Sequence, residues 1–86
     1  MGRYFFTLLT DLEVPDLIGK EAKSFPDLHR LALTETRNLA AEEVLSGVVD
    51  LSHGVRVEDQ AGQEVLTMRL SHALKLGVPG RERSLA

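Results

Sequence analysis

From Asp27 to Ser46 the chain contains no glycine and no proline, and Gly47 follows at once. In an 86-residue chain this leaves room for one long helix and little else of that kind. The stretch is rich in Leu, Ala, Glu and Arg, which lose little side-chain freedom on entering a helix. Its ends are marked too. Asp27, after Pro26, can accept from the first free backbone N–H groups, and Gly47 can take the left-handed conformation that stops a helix.

At about 100° per residue, Leu28, Ala32, Leu33, Thr36, Leu39, Ala40 and Val44 fill one arc wide enough to cover a sheet. His29 and Glu43 fall near its ends. Arg30, Thr34, Glu35, Arg37, Asn38 and Glu42 lie opposite, and with them Leu31 and Leu45, which flank Asn38 at heptad spacing. This second apolar line, Leu31–Asn38–Leu45, is the expected interface of a homodimer, since under a two-fold one patch serves both subunits.

Short β segments lie on both sides of the helix. Between Arg3 and Thr10, Tyr4, Phe6 and Leu8 share one face, and Phe5 and Leu9 share the other with Thr7. Apolar groups on both faces predict a central strand covered on two sides. Leu12 and Val14 predict a short returning strand, and Pro15, lacking an N–H, puts it at an edge. Asp16 to Gly19 reads as a turn, with Asp opening it and Gly supplying positive φ. Beyond the helix, residues 48–54 form a connection carrying one exposed histidine, His53. Val55–Glu58 and Val65–Leu70 alternate apolar and polar around Asp59–Gly62, which predicts a hairpin with a type I turn closed by a left-handed Gly62. The two Asp-x-x-Gly-x-Glu stretches, from Asp16 and from Asp59, use one turn chemistry twice, independently. Ser71–Leu76 predicts a helical turn, and residues 77–86 a mobile tail.

The expected architecture is therefore a single α+β domain over residues 1–76. Its order is β-β-α-β-β, an antiparallel sheet of three or four strands with the long helix packed on one face.

Size sharpens what such a domain needs. A chain this short buries only about 60–65% of its unfolded surface, so its core is thin. It has no cysteine to reinforce that core through disulfides or thiolate–metal bonds. Association is the remaining source of buried apolar area. A net charge of −3 argues against non-specific nucleic-acid binding, which rests on neutralising phosphates. Arg3 and the apolar residues after it mimic a signal peptide, but Asp11 closes the run early. Gly2 opens no myristoylation motif, because Phe6 stands where Ser or Thr is required. No run approaches a membrane span. A cytoplasmic protein without a membrane partner is the simplest expectation.

No catalytic, cofactor-binding or metal-binding motif is present. His29, His53 and His72 share no short ligand spacing. Leu-Ser-His occurs twice, ending at His53 and at His72, but adjacent residues rarely present their side chains to one another. Asp16, Glu21, Glu58, Asp59 and Glu64 read as a solvated rim around the turns. Arg56 and Arg69 are expected as hairpin neighbours, with Arg56 pairing to Glu58. The leading expectation is a non-enzymatic interaction module, self-associating and regulatory, that takes a protein partner. Its alternative is a small-ligand-binding domain or minor enzyme, with a pocket between helix and sheet lined by Tyr4, His29 and Arg69.

Several residues recur together in one known family. Arg3-Tyr4-Phe5-Phe6, the Asp16-x-x-Gly19 turn, Pro26-Asp27-Leu28 opening a Leu/Ala-rich helix, and the Val55–Thr67 segment stand in the same order there. Over residues 1–74 the chain resembles short alphaproteobacterial proteins known as domain of unknown function 6894. It departs from them in Val14-Pro15, where they have a more regular second strand. It also departs at Leu31, Glu35 and Asn38, where their helices are richer in alanine. The resemblance implies a compact α+β domain in a bacterial cytoplasm and carries no catalytic residue across.

Overall fold

The computed structural model describes residues 1–74, so the expected tail over 77–86 lies outside the described residues. Along the chain run β1 (Gly2–Leu9), β2 (Glu13–Val14), β3 (Lys20–Ala22), α1 (Phe25–Ser46), β4 (Gly54–Glu58), β5 (Glu64–Arg69) and α2 (Leu70–Ala73). Every strand pairing is antiparallel. The sheet runs β2-β1-β4-β5, and β3 also pairs with β1. This is the expected α+β architecture, with a five-stranded sheet and one long helix.

The fifth strand arises because the expected second strand is split. β2 lies against Leu8 and Leu9, and β3 against Gly2 to Tyr4, so both share one side of β1. Between them the chain leaves the ladder at Pro15, which has no N–H to donate, and returns through Gly19 at φ +78°. β4 takes the other side of β1 from Phe5 to Leu9. The first strand is thus central, as its apolar run predicts.

Helix α1 begins two residues before Asp27. Ser24 is its N-cap, its Oγ accepting from the Asp27 N–H at 3.2 Å. Pro26 sits in the first turn, where its missing N–H is not needed, so it starts the helix rather than preceding it. Asp27 instead accepts from the Lys23 N–H at 2.9 Å and from the Arg30 guanidinium at 2.6 Å. The helix stops as expected at Gly47, φ +100°, whose N–H donates to the Glu43 and Val44 carbonyls.

The helix buries Leu28, Ala32, Thr36, Leu39 and Ala40. The first two pack into one cluster with Phe6, Val55, Val57 and Met68 from one face of the sheet. Thr36 is fully buried and satisfies its hydroxyl on the Ala32 carbonyl at 2.7 Å. Leu70, also fully buried, forms a second cluster with Leu39 and Ala40. Val44 departs from its expected place on the buried arc and is 63% exposed, because the helix outruns the core after Ala40. The other sheet face carries Phe5 and Leu9, both half-buried, beside Arg56 and Glu58. Helix α1 packs on the opposite face, so the expectation of β1 covered on two sides is corrected.

The hairpin follows its turn chemistry. The Asp59 carboxylate accepts from the Ala61 and Gln63 N–H groups, both at 2.9 Å, and Gly62 has φ +80°. Val57 faces Leu66 while Glu58 faces Glu64, which leaves Val65 as the extra residue of a bulge.

Candidate functional site

Two polar constellations and one apolar rim stand out. The first constellation fills the gap between β2 and β3. There the Phe6 N–H, pointing out of β1, has no strand opposite it. Asp16 takes the place of one: its Oδ2 accepts from the Phe6 N–H at 3.1 Å. Its Oδ1 accepts from the Ile18 and Gly19 N–H groups, each at 3.0 Å. Burial works against the Asp16 charge, but the Gly19, Phe6 and Ile18 N–H groups outweigh it and hold the carboxyl below its ordinary range. Phe6, Val14, Asp16, Lys20 and Glu35 line a shallow cleft of about 310 Å³ here, with Lys20 paired to Glu35 across it.

The second constellation centres on His53. Its side chain is 16% exposed and faces three carboxylates from three segments. The Nδ1 atom lies 2.6 Å from Glu43 Oε2 on α1. The Nε2 atom lies 3.3 Å from Asp50 in the α1–β4 connection and 3.4 Å from Asp11 after β1. The hydrogen bond to Glu43 raises the His53 pKa above its ordinary value; partial burial opposes the shift, and the Asp50 and Asp11 carboxylates add to it. Burial pushes Glu43 upward, but the Asp50 N–H and His53 bring it below the usual carboxylate range. This cluster borders a cleft of about 330 Å³ between Thr10, Ser46 and Val48. Read in sequence as an exposed loop residue, His53 is instead a junction. Its one local signal is Asp50 three positions earlier; Glu43 and Asp11 reach it only through the fold. Among the described residues, no group of three or more such side chains is arranged to hold a metal ion.

The residues expected to line a pocket do not converge. Tyr4 is half-buried against the core at the hairpin-turn end of the sheet. Arg69 is exposed at the other end, donating to the Ser52 carbonyl at 3.1 Å. His29 is exposed on the helix. None of the three lines either cleft. The outer helix line also divides: Asn38 and Leu45 are exposed, while Leu31 packs partly against the core. The three share one line of α1, but Leu31 lies beside Leu28 and Ala32 where the helix crosses the main core cluster, whereas Leu45 lies beyond Ala40, the last buried residue of the helix. Arg56 pairs chiefly with Glu13 at 2.9 Å and less closely with Glu58 at 3.7 Å. No Ser–His pair forms at residues 52 and 53, since Ser52 donates to Asp50.

Around the His53 end several large apolar side chains are exposed beside these charged groups. Leu12, Val44, Leu45 and Val48 are each at least 63% exposed, and Leu17 and Ile18 continue the exposure along the split edge. Asp11 meets His53, so the segments carrying Leu12 and Val48 come together at one end of the molecule.

The family described as Domain of unknown function (DUF6894) matches residues 3–71. No curated protein and no solved structure matches the chain. No helix of the described residues is long and apolar enough to cross a membrane.

Proposed function

The chain belongs to the DUF6894 family, and from that premise we propose that it is a self-associating, non-enzymatic interaction module. The observation that carries this reading is the quantity of large apolar side chain left outside a thin core. Leu12, Leu17, Ile18, Leu45 and Val48 are all more exposed than covered. Each such side chain contributes roughly 1.5–3 kcal/mol when fully buried, so association is the most direct way to stabilise the domain further. The competing reading, a ligand pocket between helix and sheet, needs Tyr4, His29 and Arg69 to converge, and they stand apart.

Sedimentation velocity from low to high micromolar concentration tests the proposal. A mass that rises to that of a dimer is expected. A wild-type chain that stays monomeric throughout overturns it.

A further inference from the structure

The two edges of the sheet are unlike. On the β1 side, β2 and β3 cover both ends, Pro15 offers no donor, and Asp16 already holds the Phe6 N–H. On the other side β5 is the last strand of the described sheet.

The direction of the β5 backbone groups follows from Phe6. Its N–H turns toward Asp16 and hence away from β4, so Phe6 and Val57 form a non-hydrogen-bonded pair. Val57 must then turn toward β5 and bond Leu66, its partner there. Alternation turns Met68 inward as well, and sends the N–H and C=O groups of Thr67 and Arg69 outward. The Leu70 N–H, in phase with Leu66 and Met68, does point inward, donating to the His53 carbonyl at 2.8 Å. Among the described residues, the outer edge of β5 is therefore a short row of backbone groups with no strand opposite them, centred on Thr67.

We propose, resting on the self-association reading above but placing the self-contact away from the apolar rim, that two copies of this chain pair antiparallel through the outer edges of β5, about a two-fold axis at Thr67, which leaves Leu45 and Val48 outside the contact. Several features favour a second copy. In that register Thr67 faces itself and Arg69 faces the partner's Val65. The bulge places Glu64, Thr67 and Arg69 on the same sheet face, opposite Glu58, Arg56 and Gly54. One end of the edge is thus acidic and the other basic. A two-fold brings each Arg69 next to the partner's Glu64, so the strand is complementary in charge to itself. On the helix side, Leu66 is half-buried at the edge. In the dimer it is covered by the partner's Met68. Leu33, half-buried one helical turn before Arg37, extends the apolar strip, since Arg37 marks the flank of α1 that reaches the Ala73 carbonyl beside β5.

The register gives a selective test. Thr67→Pro removes an N–H that points outward and leaves the β4 ladder intact, as proline is tolerated on the free side of an edge strand. Sedimentation should show a folded monomer, with self-affinity weakened at least about tenfold by the lost backbone bonds and the misfit at the axis. Thr67→Cys places a sole cysteine opposite itself, at a Cα separation of about 5.5 Å. A short bifunctional maleimide should then give a covalent dimer, while Leu45→Cys should not. The Leu45→Glu, Val48→Glu double variant should remain dimeric. A Thr67→Pro chain that still dimerises, or a dimeric Thr67→Cys chain that does not cross-link, overturns the edge assignment. If the Leu45/Val48 variant alone becomes monomeric, the self-contact lies in the apolar rim: the edge falls and the interaction reading stands. A monomeric wild type with slowly exchanging Thr67 and Arg69 amides overturns both, assigning the edge to the chain itself.

Discussion

One carboxylate, Asp16, closes a gap that no strand fills. It accepts three backbone N–H groups, two local and one from β1. Asp16→Asn keeps the shape but can turn an amide N–H₂ toward the Phe6 N–H, leaving one partly buried donor unmet. A loss of about 1–3 kcal/mol in urea unfolding is expected, and Asp16→Ala should cost at least as much. A loss indistinguishable from zero would show that water serves Phe6 equally well. The two positive-φ turn glycines then separate two costs. At Gly62 a Cβ meets nothing within 4 Å, so Gly62→Ala should carry backbone strain alone, about 1–2 kcal/mol. At Gly19 the same atom falls 2.8 Å from the Tyr4 carbonyl oxygen, and Gly19→Ala should cost clearly more in the same measurement. Equal losses would remove the steric distinction. Both turns were legible in sequence, because Asp and Gly act within a few residues. The reach from Asp16 to Phe6 was not, since it depends on which strand lies alongside.

At the scale of elements, α1 is tied to its neighbours at both ends by different means. Ser24 caps it through its side-chain hydroxyl and Gly47 through its backbone N–H, and His53 binds its last turns to the following connection and to the end of β1. The raised His53 pKa fixes the sign of its pH dependence. Its contribution is fully present below the unfolded-state value of about 6.5 and disappears as pH rises through the higher folded value. The lowered Glu43 and Asp50 carboxyls act oppositely: their contribution is present above about pH 4–4.5 and is lost as pH falls through their folded values. The melting temperature should therefore fall from pH 6 to 8.5 as His53 deprotonates, and His53→Gln should flatten that slope. An unchanged slope in the variant would assign it to another group. The helix itself was plain from its 3.6-residue pattern. Its start was misplaced at Asp27 because Pro26 reads equally well as the residue before a helix and as its first turn. His53 was misread because two of its three partners are distant in sequence.

Across the whole molecule, the apolar run of β1 and the alternation in the hairpin announced an antiparallel sheet, and the breadth of the apolar helix arc announced what would lie on it. Strand order was not legible. Nothing in the periodicity says that β1 joins β4, or that β2 and β3 share an edge. That order has a consequence for how the chain is made. The most apolar stretch, Tyr4 to Leu9, leaves the ribosome well before its partner β4, which emerges only after the whole of α1. At about 5–20 residues per second, this is a wait of several seconds for a segment prone to pair with other chains. The split edge strand arrives at once, however, directly after β1 in the chain. Asp16 can seize the Phe6 N–H while the rest of the sheet does not yet exist. In cell-free synthesis, Asp16→Asn should therefore yield more aggregate than an equally destabilising change in β5, and equal yields would dismiss the idea. The turn that interrupts the mature sheet would then be a guard for the newborn chain, holding its stickiest strand until the permanent partner is translated.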